Sequence, residues 1–121
     1  MQKVENHLVF SDFSVLKQNR EFQFVYKRGK SFHSNSCVLF YSPSKNIKKI
    51  GFTASKKVGN AVKRNRSKRR LRALFANVAP ELNDGQYILV AKAATHENDF
   101  QDIETDFIKM INNANKTKKF T

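Results

Sequence analysis

The sequence predicts an α+β fold, an α/β sandwich with one central mixed sheet of about four strands and three helices. Segments with helix and strand patterns alternate in the order helix, strands, helix, strand, helix, which favours one sheet with helices packed on it. A length of 121 residues is enough for a single domain, spanning residues 1–121. The hydrophobic fraction of 40%, with eleven Phe, excludes a disordered chain.

For the N-terminal part of the sequence we predict a loose arm followed by a short helix. Residues 1–18 have scattered apolar positions without a sustained period, so we predict an extended or irregular segment. We expect Leu16 to anchor this arm. A short amphipathic helix then begins at Asn19, which suits an N-cap, and ends at Gly29. Its apolar positions are Phe22, Val25 and Tyr26.

Two β-prone segments follow, and the turn between them predicts a hairpin. The first covers residues 36–42 and ends at Pro43, after which the stretch Ser-Pro-Ser-Lys-Asn has turn composition. The second strand covers residues 47–55. We therefore expect these two strands to pair with each other.

The longest helix is predicted for residues 61–78, where Pro80 closes it. The apolar run at residues 87–91, after the turn at 84–85, predicts a buried strand. The strand at 47–55, this helix and this strand form a β-α-β unit, so we expect the two strands to be parallel neighbours. Such a crossover is generally right-handed.

The last helix is predicted to begin near Asn98, with Gln101 in the reciprocal capping position. Its acidic residues lie in the first turns, where they complement the helix dipole. We expect residues 113–121 to form a frayed basic tail. The acidic residues at the start of this last helix are Glu97, Asp99, Asp102, Glu104 and Asp106.

The charge of the chain is unevenly distributed. The formal net charge is +13, and no acid lies between Glu21 and Glu81, whereas residues 45–72 alone carry twelve Lys and Arg. We call residues 45–72 the basic segment. A block of cations this free of acids indicates a surface that binds a polyanion, although a solvated face is the alternative.

The composition also indicates a compartment. No apolar run approaches the about 20 residues of a membrane span, and no signal-peptide hydrophobic stretch is present. A lone Cys37 excludes an intramolecular disulfide and a cysteine zinc cluster, and agrees with a reducing environment. We expect a cytoplasmic protein that does not bind membranes.

The long helix contains charges that oppose its own formation. An apolar stripe through Leu71 continues towards Val78 but meets Arg64, Ser67 and Lys68 in the other direction, so we expect the first half to project past the core or lie along its rim. Cations also occupy the positive end of the helix dipole and repeat at i, i+4. A phosphate backbone would reverse these repulsions, whereas an interfacial membrane helix would need an apolar face here.

A twenty-residue run carries a family resemblance. Residues 51–70 read Gly-Phe-Thr-Ala-Ser-Lys-Lys-Val-Gly-Asn-Ala-Val-Lys-Arg-Asn-Arg-Ser-Lys-Arg-Arg and closely resemble the signature of the bacterial ribonuclease P protein component. The similarity extends to the helix at 22–29 and to the strands at 38–40 and 87–91. It implies an α/β sandwich with a left-handed β-α-β crossover, contrary to the general rule.

The resemblance also implies a function. The protein would be the small subunit of a ribonucleoprotein that removes the 5′ leader of precursor tRNA, with metal-dependent hydrolysis carried out by the RNA subunit. Mg²⁺ would be required by the holoenzyme and bound mainly by RNA. We expect no catalytic residue and no certain metal ligand on the protein, and a monomer in the absence of RNA.

The family's binding residues transfer by match to two groups. Those that face the catalytic RNA are Lys56, Lys57, Asn60, Arg64, Asn65, Arg66 and Arg69. Those that hold the single-stranded 5′ leader, in a cleft between the first helix and the sheet, are Phe22, Tyr26, Phe40, Lys68 and Arg72. Aromatic rings on which unpaired bases stack, beside cations that hold phosphates, suit this role, although core packing is the alternative for the rings.

Two pairs of positions depart from the family pattern. Ser67 and Arg70 stand where relatives commonly carry aliphatic residues, so we expect looser docking of the long helix. Tyr26 and Phe40 stand where phenylalanine and tyrosine are common, which preserves stacking and moves the hydroxyl.

Independent catalysis is not indicated. His7, His33 and His96 are widely separated, and none belongs to a metal-spaced motif. The alternative function is that of a ribosomal-type or general RNA-binding structural protein without a role in cleavage.

Overall fold

The computed structural model describes residues 12–115, which form a five-stranded sheet with helices on both faces. The strands are β1 (Ser14–Val15), β2 (Lys30–His33), β3 (Cys37–Pro43), β4 (Lys48–Thr53) and β5 (Gly85–Ala91). The helices are α1 (Asn19–Arg28), α2 (Ala61–Val78), α3 (Ala93–Glu97) and α4 (Phe100–Ala114), and single 3-10 turns at Lys56–Val58 and Ala79–Glu81 flank α2. The α+β class is confirmed, with one strand and one helix more than the sequence predicts.

The strand order across the sheet is β1-β4-β5-β3-β2. β4 and β5 are parallel neighbours, which confirms the β-α-β unit, and β1 extends the parallel part along the other edge of β4. β3 is antiparallel to both β5 and β2, so the sheet is mixed. The left-handed crossover stays a prediction.

The predicted hairpin between the strands at residues 36–42 and 47–55 is wrong. β5 lies between β3 and β4 and pairs with both. The turn after β3 passes over the start of β5, where Asn46 donates its backbone N–H to Asp84 Oδ2 at 2.9 Å and Gly85 donates to the Ile47 carbonyl. The hairpin that forms joins β2 to β3, at a turn where Ser34 Oγ accepts from the Cys37 N–H at 3.1 Å.

The ends of the helices agree with the sequence to different degrees. α2 has the predicted bounds, with Asn60 as its N-cap. α1 ends before Gly29 as predicted but has Gln18 as its N-cap rather than Asn19. α4 has Asp99 at its N-cap position and extends through Ala114. The expectation of a frayed tail from residue 113 is therefore wrong for residues 113 and 114, which are helical. Residues 116–121 lie outside the described residues.

The two faces of the sheet carry two apolar clusters. Along β5, Tyr87 and Leu89 face the main core, which α2 and α4 cover, and Ile88 faces a smaller cluster under α1. Successive side chains of a strand point to opposite faces, so α1 lies on the side opposite to α2 and α4. No helix within residues 12–115 has the length and apolar character that a membrane crossing requires.

The segment before α1 ties the helix to the sheet edge. Leu16 is 4% exposed and donates its N–H to the Ile50 carbonyl at 2.9 Å, which confirms it as an anchor. Residues 14–15 form β1, which agrees with the extended alternative for this segment, and residues 1–11 of the predicted arm lie outside the described residues.

Glu21 holds the start of α1 in place. Its carboxylate accepts the backbone N–H groups of Gln18 at 2.8 Å and Lys17 at 2.9 Å, and lies 3.2 Å from Lys49 Nζ on β4. These bonds favour the charged form, so they lower the pKa of Glu21 to about 2, chiefly through the Gln18 and Lys17 amides and then through Lys49.

This depressed pKa predicts an acid-sensitive contribution to stability. Because the folded-state pKa lies below the ordinary value of 4.5, the contribution is present above pH 4.5 and is lost as the pH falls towards 2. We expect Glu21→Gln to lower the free energy of unfolding at neutral pH and to match the parent protein near pH 2, measured by urea denaturation. Glu81→Gln, on an exposed position, is the control, and a Glu21 effect that is the same at every pH would contradict the assignment.

Candidate nucleic-acid interface

The start of α2 is built by two polar caps. Ser55 Oγ accepts from the Lys57 N–H at 3.3 Å and sets the short 3-10 turn, in which Val58 is buried and the two lysines are exposed. Asn60 Oδ1 accepts from the Lys63 N–H at 3.0 Å and begins α2. Lys56 and Lys57 are therefore presented on a fixed turn directly before the helix.

The first half of α2 projects from the core. Its buried residues begin only at Ser67, which confirms the expectation that the apolar stripe does not continue to the N-terminus. Arg64 is half-buried because its Nη1 donates to the Gly59 carbonyl at 2.9 Å. The remaining residues predicted to face the catalytic RNA are all exposed: Lys56, Lys57, Asn60, Asn65, Arg66 and Arg69.

The cations of this region are not neutralised within the described part of the chain. There, Lys48 pairs with Asp84 and Lys49 with Glu21, but no acidic side chain lies within 4 Å of a cation in residues 56–72. Burial and, secondarily, the charge of Arg66 lower the pKa of Arg70. The helix thus carries crowded positive charge that an external anion would stabilise.

Ser67 and Arg70 have structural roles, and the expectation of looser docking stays a prediction. Ser67 is fully buried and donates its hydroxyl to the Lys63 carbonyl at 3.0 Å. Arg70 Nη1 donates to the Thr95 carbonyl at 3.1 Å and to the Asn98 carbonyl at 2.7 Å, at the C-terminal end of α3. A cation that caps free carbonyls at a helix end is stabilising, so Arg70 ties α2 to α3.

The opposite face of the sheet carries the predicted aromatic residues. Phe22, Tyr26 and Phe40, which we call the aromatic cluster, are half-buried around the buried side chains of Val25 and Ile88. Tyr26 and Phe40 meet edge to face, with ring centroids 4.9 Å apart. The cluster therefore serves partly as core, and its exposed portions remain accessible to a ligand.

Gly51 makes room for this arrangement. A Cβ at Gly51 would lie 2.6 Å from the Phe22 ring, so the ring rests on the bare backbone of β4. The absence of a side chain at this strand position lets the N-terminal part of α1 approach the sheet closely.

The predicted phosphate-binding cations lie on a different element from the aromatic cluster. Lys68 and Arg72 are half-buried on α2, one turn apart, and the Arg72 guanidinium lies 5.5 Å from the centroid of the Phe52 ring. Phe52 follows Gly51 on β4 and packs against the main core. Within residues 12–115, no hydrogen bond, ion pair or ring contact joins these cations to the aromatic cluster, so β4 separates the two groups.

Phe52 is a contact residue that the sequence reasoning missed. Its strand was predicted, and the alternation along that strand could have placed Phe52 on the face of the long helix. Its cation–π contact with Arg72 fixes the position of one predicted phosphate ligand.

The histidines, the cysteine and the candidate metal ligands lie in separate places in residues 12–115. Within residues 12–115, no group of three or more His, Cys, Asp or Glu is placed to hold a metal ion. His33 is exposed, the Nε2 atom of His96 lies 3.9 Å from Glu97 Oε2, and His7 lies outside the described residues. Burial raises the pKa of the Cys37 thiol to about 11, so it is a poor nucleophile.

The late acidic residues include one with a structural role. Asp106 Oδ2 accepts from the Ser36 hydroxyl at 2.8 Å, which ties α4 to the turn between β2 and β3. Asp99 occupies the N-cap position of α4 and Asp102 lies in its first turn, in agreement with dipole complementarity.

Comparison with known proteins identifies similar sequences. A family model described as Ribonuclease P matches residues 10–115. A ribonuclease P protein component of Nitratiruptor sp. is 48% identical over 104 residues, covering 86% of this chain and 94% of the relative. A protein of the same name from Finegoldia magna is 35% identical over 104 residues, covering 85% and 92% respectively.

Solved structures have a similar fold. The Staphylococcus aureus RNase P protein superposes with a TM-score of 0.74 at 28% identity, covering 88% of this chain and 97% of that chain. The RNase P protein from Thermotoga maritima superposes with a TM-score of 0.71 at 21% identity, covering 83% and 96%. The second likeness concerns the fold alone.

Proposed function

The chain belongs to the ribonuclease P protein family, and from this premise we propose that it is the protein subunit of a ribonucleoprotein that removes the 5′ leader of precursor tRNA. The observation that carries the proposal is the projecting, acid-free first half of α2, with Arg66 and its neighbours exposed, on a sheet whose other face bears half-buried aromatic rings. The exposed cations of α2 suit folded RNA, and the aromatic rings on the other face suit an unpaired strand.

We assign the projecting half of α2 and the turn before it to the catalytic RNA. Arginine forks onto phosphate oxygens, lysine acts as a point charge, and the capped helix start adds backbone donors. Each contact replaces a repulsion between neighbouring cations by an attraction. The residues proposed for this surface are Lys56, Lys57, Asn60, Arg64, Asn65, Arg66 and Arg69.

We assign the aromatic cluster and two α2 cations to the 5′ leader. Stacking on Phe22, Tyr26 and Phe40 tolerates any base, as a subunit that serves many precursors needs. Lys68 and Arg72 lie beyond β4, so they would hold phosphates where the leader enters from the side of α2. Through these contacts the protein raises the affinity for precursor over mature tRNA and broadens the range of substrates.

The chemistry is assigned to the RNA subunit. Mg²⁺ bound mainly by that RNA would supply the activated water, and the protein residues described here supply no cluster suited to hold it. The protein's cations screen the repulsion between the phosphates of substrate and catalytic RNA. We place the protein in the cytoplasm with its RNA partner, and as a monomer without it.

Reconstitution tests this function. With a ribonuclease P RNA subunit, a leader-bearing precursor tRNA and Mg²⁺, we expect 5′-matured tRNA, and at low Mg²⁺ we expect cleavage to depend on the protein. A structural RNA-binding protein would not stimulate cleavage at either Mg²⁺ concentration. Cleavage by the purified polypeptide free of RNA would also contradict the proposal.

A further inference from the structure

Val62 is an exposed apolar side chain within the basic first half of α2. It is 75% exposed, whereas the other exposed large hydrophobic side chains of residues 12–115 are between 38% and 47% exposed. Single exposed apolar residues are common on protein surfaces. Val62 differs from them because it lies on the projecting part of a helix whose neighbouring positions are cationic.

The fold does not use the Val62 side chain. The buried residues of α2 begin only at Ser67, and Val62 belongs to neither apolar cluster. A β-branched residue also has a lower helix propensity than alanine at an exposed helical position. Val62 therefore neither packs against the core nor favours the helix in which it lies.

The neighbouring cations leave Val62 uncovered. Long cationic side chains can cover an apolar neighbour with their methylene stems. Here a Cβ on Gly59 would lie 2.7 Å from the Lys63 side chain, so the Lys63 stem lies over Gly59. The Arg64 guanidinium donates to the Gly59 carbonyl at 2.9 Å. Both side chains thus turn back over the preceding loop, and the Val62 methyl groups face outward.

Val62 shares one face of α2 with residues assigned to the catalytic RNA. At about 100° per residue, Arg66 lies about 40° from Val62 around the helix axis, and Arg69 lies about 20° away on the other side. Asn65 borders the same face, and all of these side chains are exposed. The face is therefore apolar in its first turn and cationic in the turns that follow.

This combination limits which part of an RNA can lie on the face. The phosphates and 2′-hydroxyls of a regular duplex gain nothing from contact with methyl groups. The flat side of a nucleobase is apolar, and it becomes accessible where the base is unpaired and unstacked. The arginines of the following turns match the phosphates beside such a base.

We infer that Val62 packs against an unpaired nucleobase of the RNA subunit, next to phosphates held by Arg66 and Arg69. The inference rests on the proposed function and deepens it, because the surface on α2 then recognises an irregular element of that RNA in addition to its charge. Val62 is a specificity residue for assembly and takes no part in hydrolysis.

The test measures the affinity of the protein for a ribonuclease P RNA subunit and for a fully paired RNA duplex. We expect Val62→Ala to weaken binding of the RNA subunit by about fivefold or more, because two methyl groups leave the contact. Binding of the duplex should not change. Val62→Ile should retain the affinity, and Ile108→Ala, at an exposed apolar position of α4, is the matched control.

Three further measurements separate this contact from charge and from folding. The log–log salt slope of binding to the RNA subunit should be the same for Val62→Ala and the parent, since no cation is removed. The variant should unfold at the same or a higher temperature, because alanine is the better helix former. At saturating protein, an unpaired base that the parent protects from a base-modifying reagent should regain reactivity with Val62→Ala.

The outcomes separate this inference from the function on which it rests. If Val62→Ala binds the RNA subunit as tightly as the parent does, the inference alone fails. Equal weakening of subunit and duplex would place Val62 on a regular helix, and a lower unfolding temperature would give it a role in the fold; either result overturns the inference. If the parent binds the RNA subunit no more tightly than the duplex and does not stimulate cleavage, the proposed function itself is wrong.

Discussion

Reversing two charges at the centre of the projecting helix should prevent assembly with the RNA subunit. For Arg64→Glu with Arg66→Glu we expect the affinity for that RNA to fall about 100-fold or more, because two charge-assisted phosphate contacts of about 1.5–3 kcal/mol each are replaced by repulsion. The parent should lose affinity with a log–log salt slope of about −4 to −5, for roughly six phosphates neutralised, and the variant slope should be less steep by about 2.

Arg66 separates RNA binding from folding. Arg64 donates to the Gly59 carbonyl, so its substitution also disturbs the start of α2, whereas Arg66 is exposed and the structure gives it no bond within residues 12–115. Arg66→Glu alone should therefore weaken assembly without a change in thermal unfolding. Lys45→Glu with Lys109→Glu changes the net charge as much as the double variant does, at exposed positions off α2, and should assemble.

An unchanged double variant would remove the basis of the whole interpretation. In the described structure no acidic side chain lies within 4 Å of a cation of α2, although Asp99 acts on Arg70 at longer range. RNA would neutralise the mutual repulsion of these cations. If the control variant lost as much affinity as the Arg64 and Arg66 variant, net charge alone would account for binding, and the surface on α2 would not be specific.

Local signals were sufficient for α2 and insufficient for the pairing of strands. Asn60 and Pro80 delimit α2 in the sequence as they do in the structure. The turn after β3 was also recognised correctly, but its composition does not reveal that β5, more than thirty residues later, inserts between β3 and β4. Tertiary contacts determine which strands pair with β3, and the hairpin prediction considered only neighbouring segments of the sequence.

Two small elements depend on contacts that the sequence does not display. β2 is an edge strand in which Phe32 is the half-buried apolar residue, so its apolar pattern is weak. α3 has five residues, too few for a helix to form alone, and it is held by Arg70 at its end and by the bond from Thr95 Oγ1 to the Ser36 carbonyl. Neither β2 nor α3 can be predicted without knowing the elements that pack against it.

Some features of the proposed site also follow from the sequence, and others depend on tertiary contacts. That the cations of α2 are exposed follows from the sequence, because the apolar stripe stops at Ser67. That Arg70 is a docking residue does not follow, because its partners are backbone carbonyls of α3 and of the residue after it. The family resemblance, and not the sequence pattern, indicated the aromatic cluster, and the structure brings its three rings together. Lys68 and Arg72 lie on the other side of β4 from these rings.

Removing two aromatic rings of the cluster should reduce the preference for precursor tRNA. For Tyr26→Leu with Phe40→Leu, in the reconstituted holoenzyme, we expect the affinity for a leader-bearing precursor to fall by about 1–3 kcal/mol for each base that loses its stacking partner. The affinity for mature tRNA should not change, since it has no leader. Binding of both RNAs, measured side by side, gives the discrimination directly.

Leucine is the informative substitution because the cluster is also core. Both rings are half-buried over Val25 and Ile88, so alanine would leave a cavity and lower stability, whereas leucine keeps an apolar side chain and removes the π face. Tyr26→Phe should retain the discrimination. Phe107→Leu, in the main core on the other side of the sheet, should lower the free energy of unfolding without changing the ratio of the two affinities.

The cations across β4 complete this argument. If the leader runs from α2 over the cluster, Lys68→Ala with Arg72→Ala should also weaken precursor more than mature tRNA, and should make the salt dependence of precursor binding less steep by about 1.4. Equal weakening of both RNAs would assign these cations to the tRNA body or the catalytic RNA. Leader discrimination that was unchanged by the loss of both rings would show that Tyr26 and Phe40 are core alone, because leucine keeps an apolar side chain but cannot stack on a base.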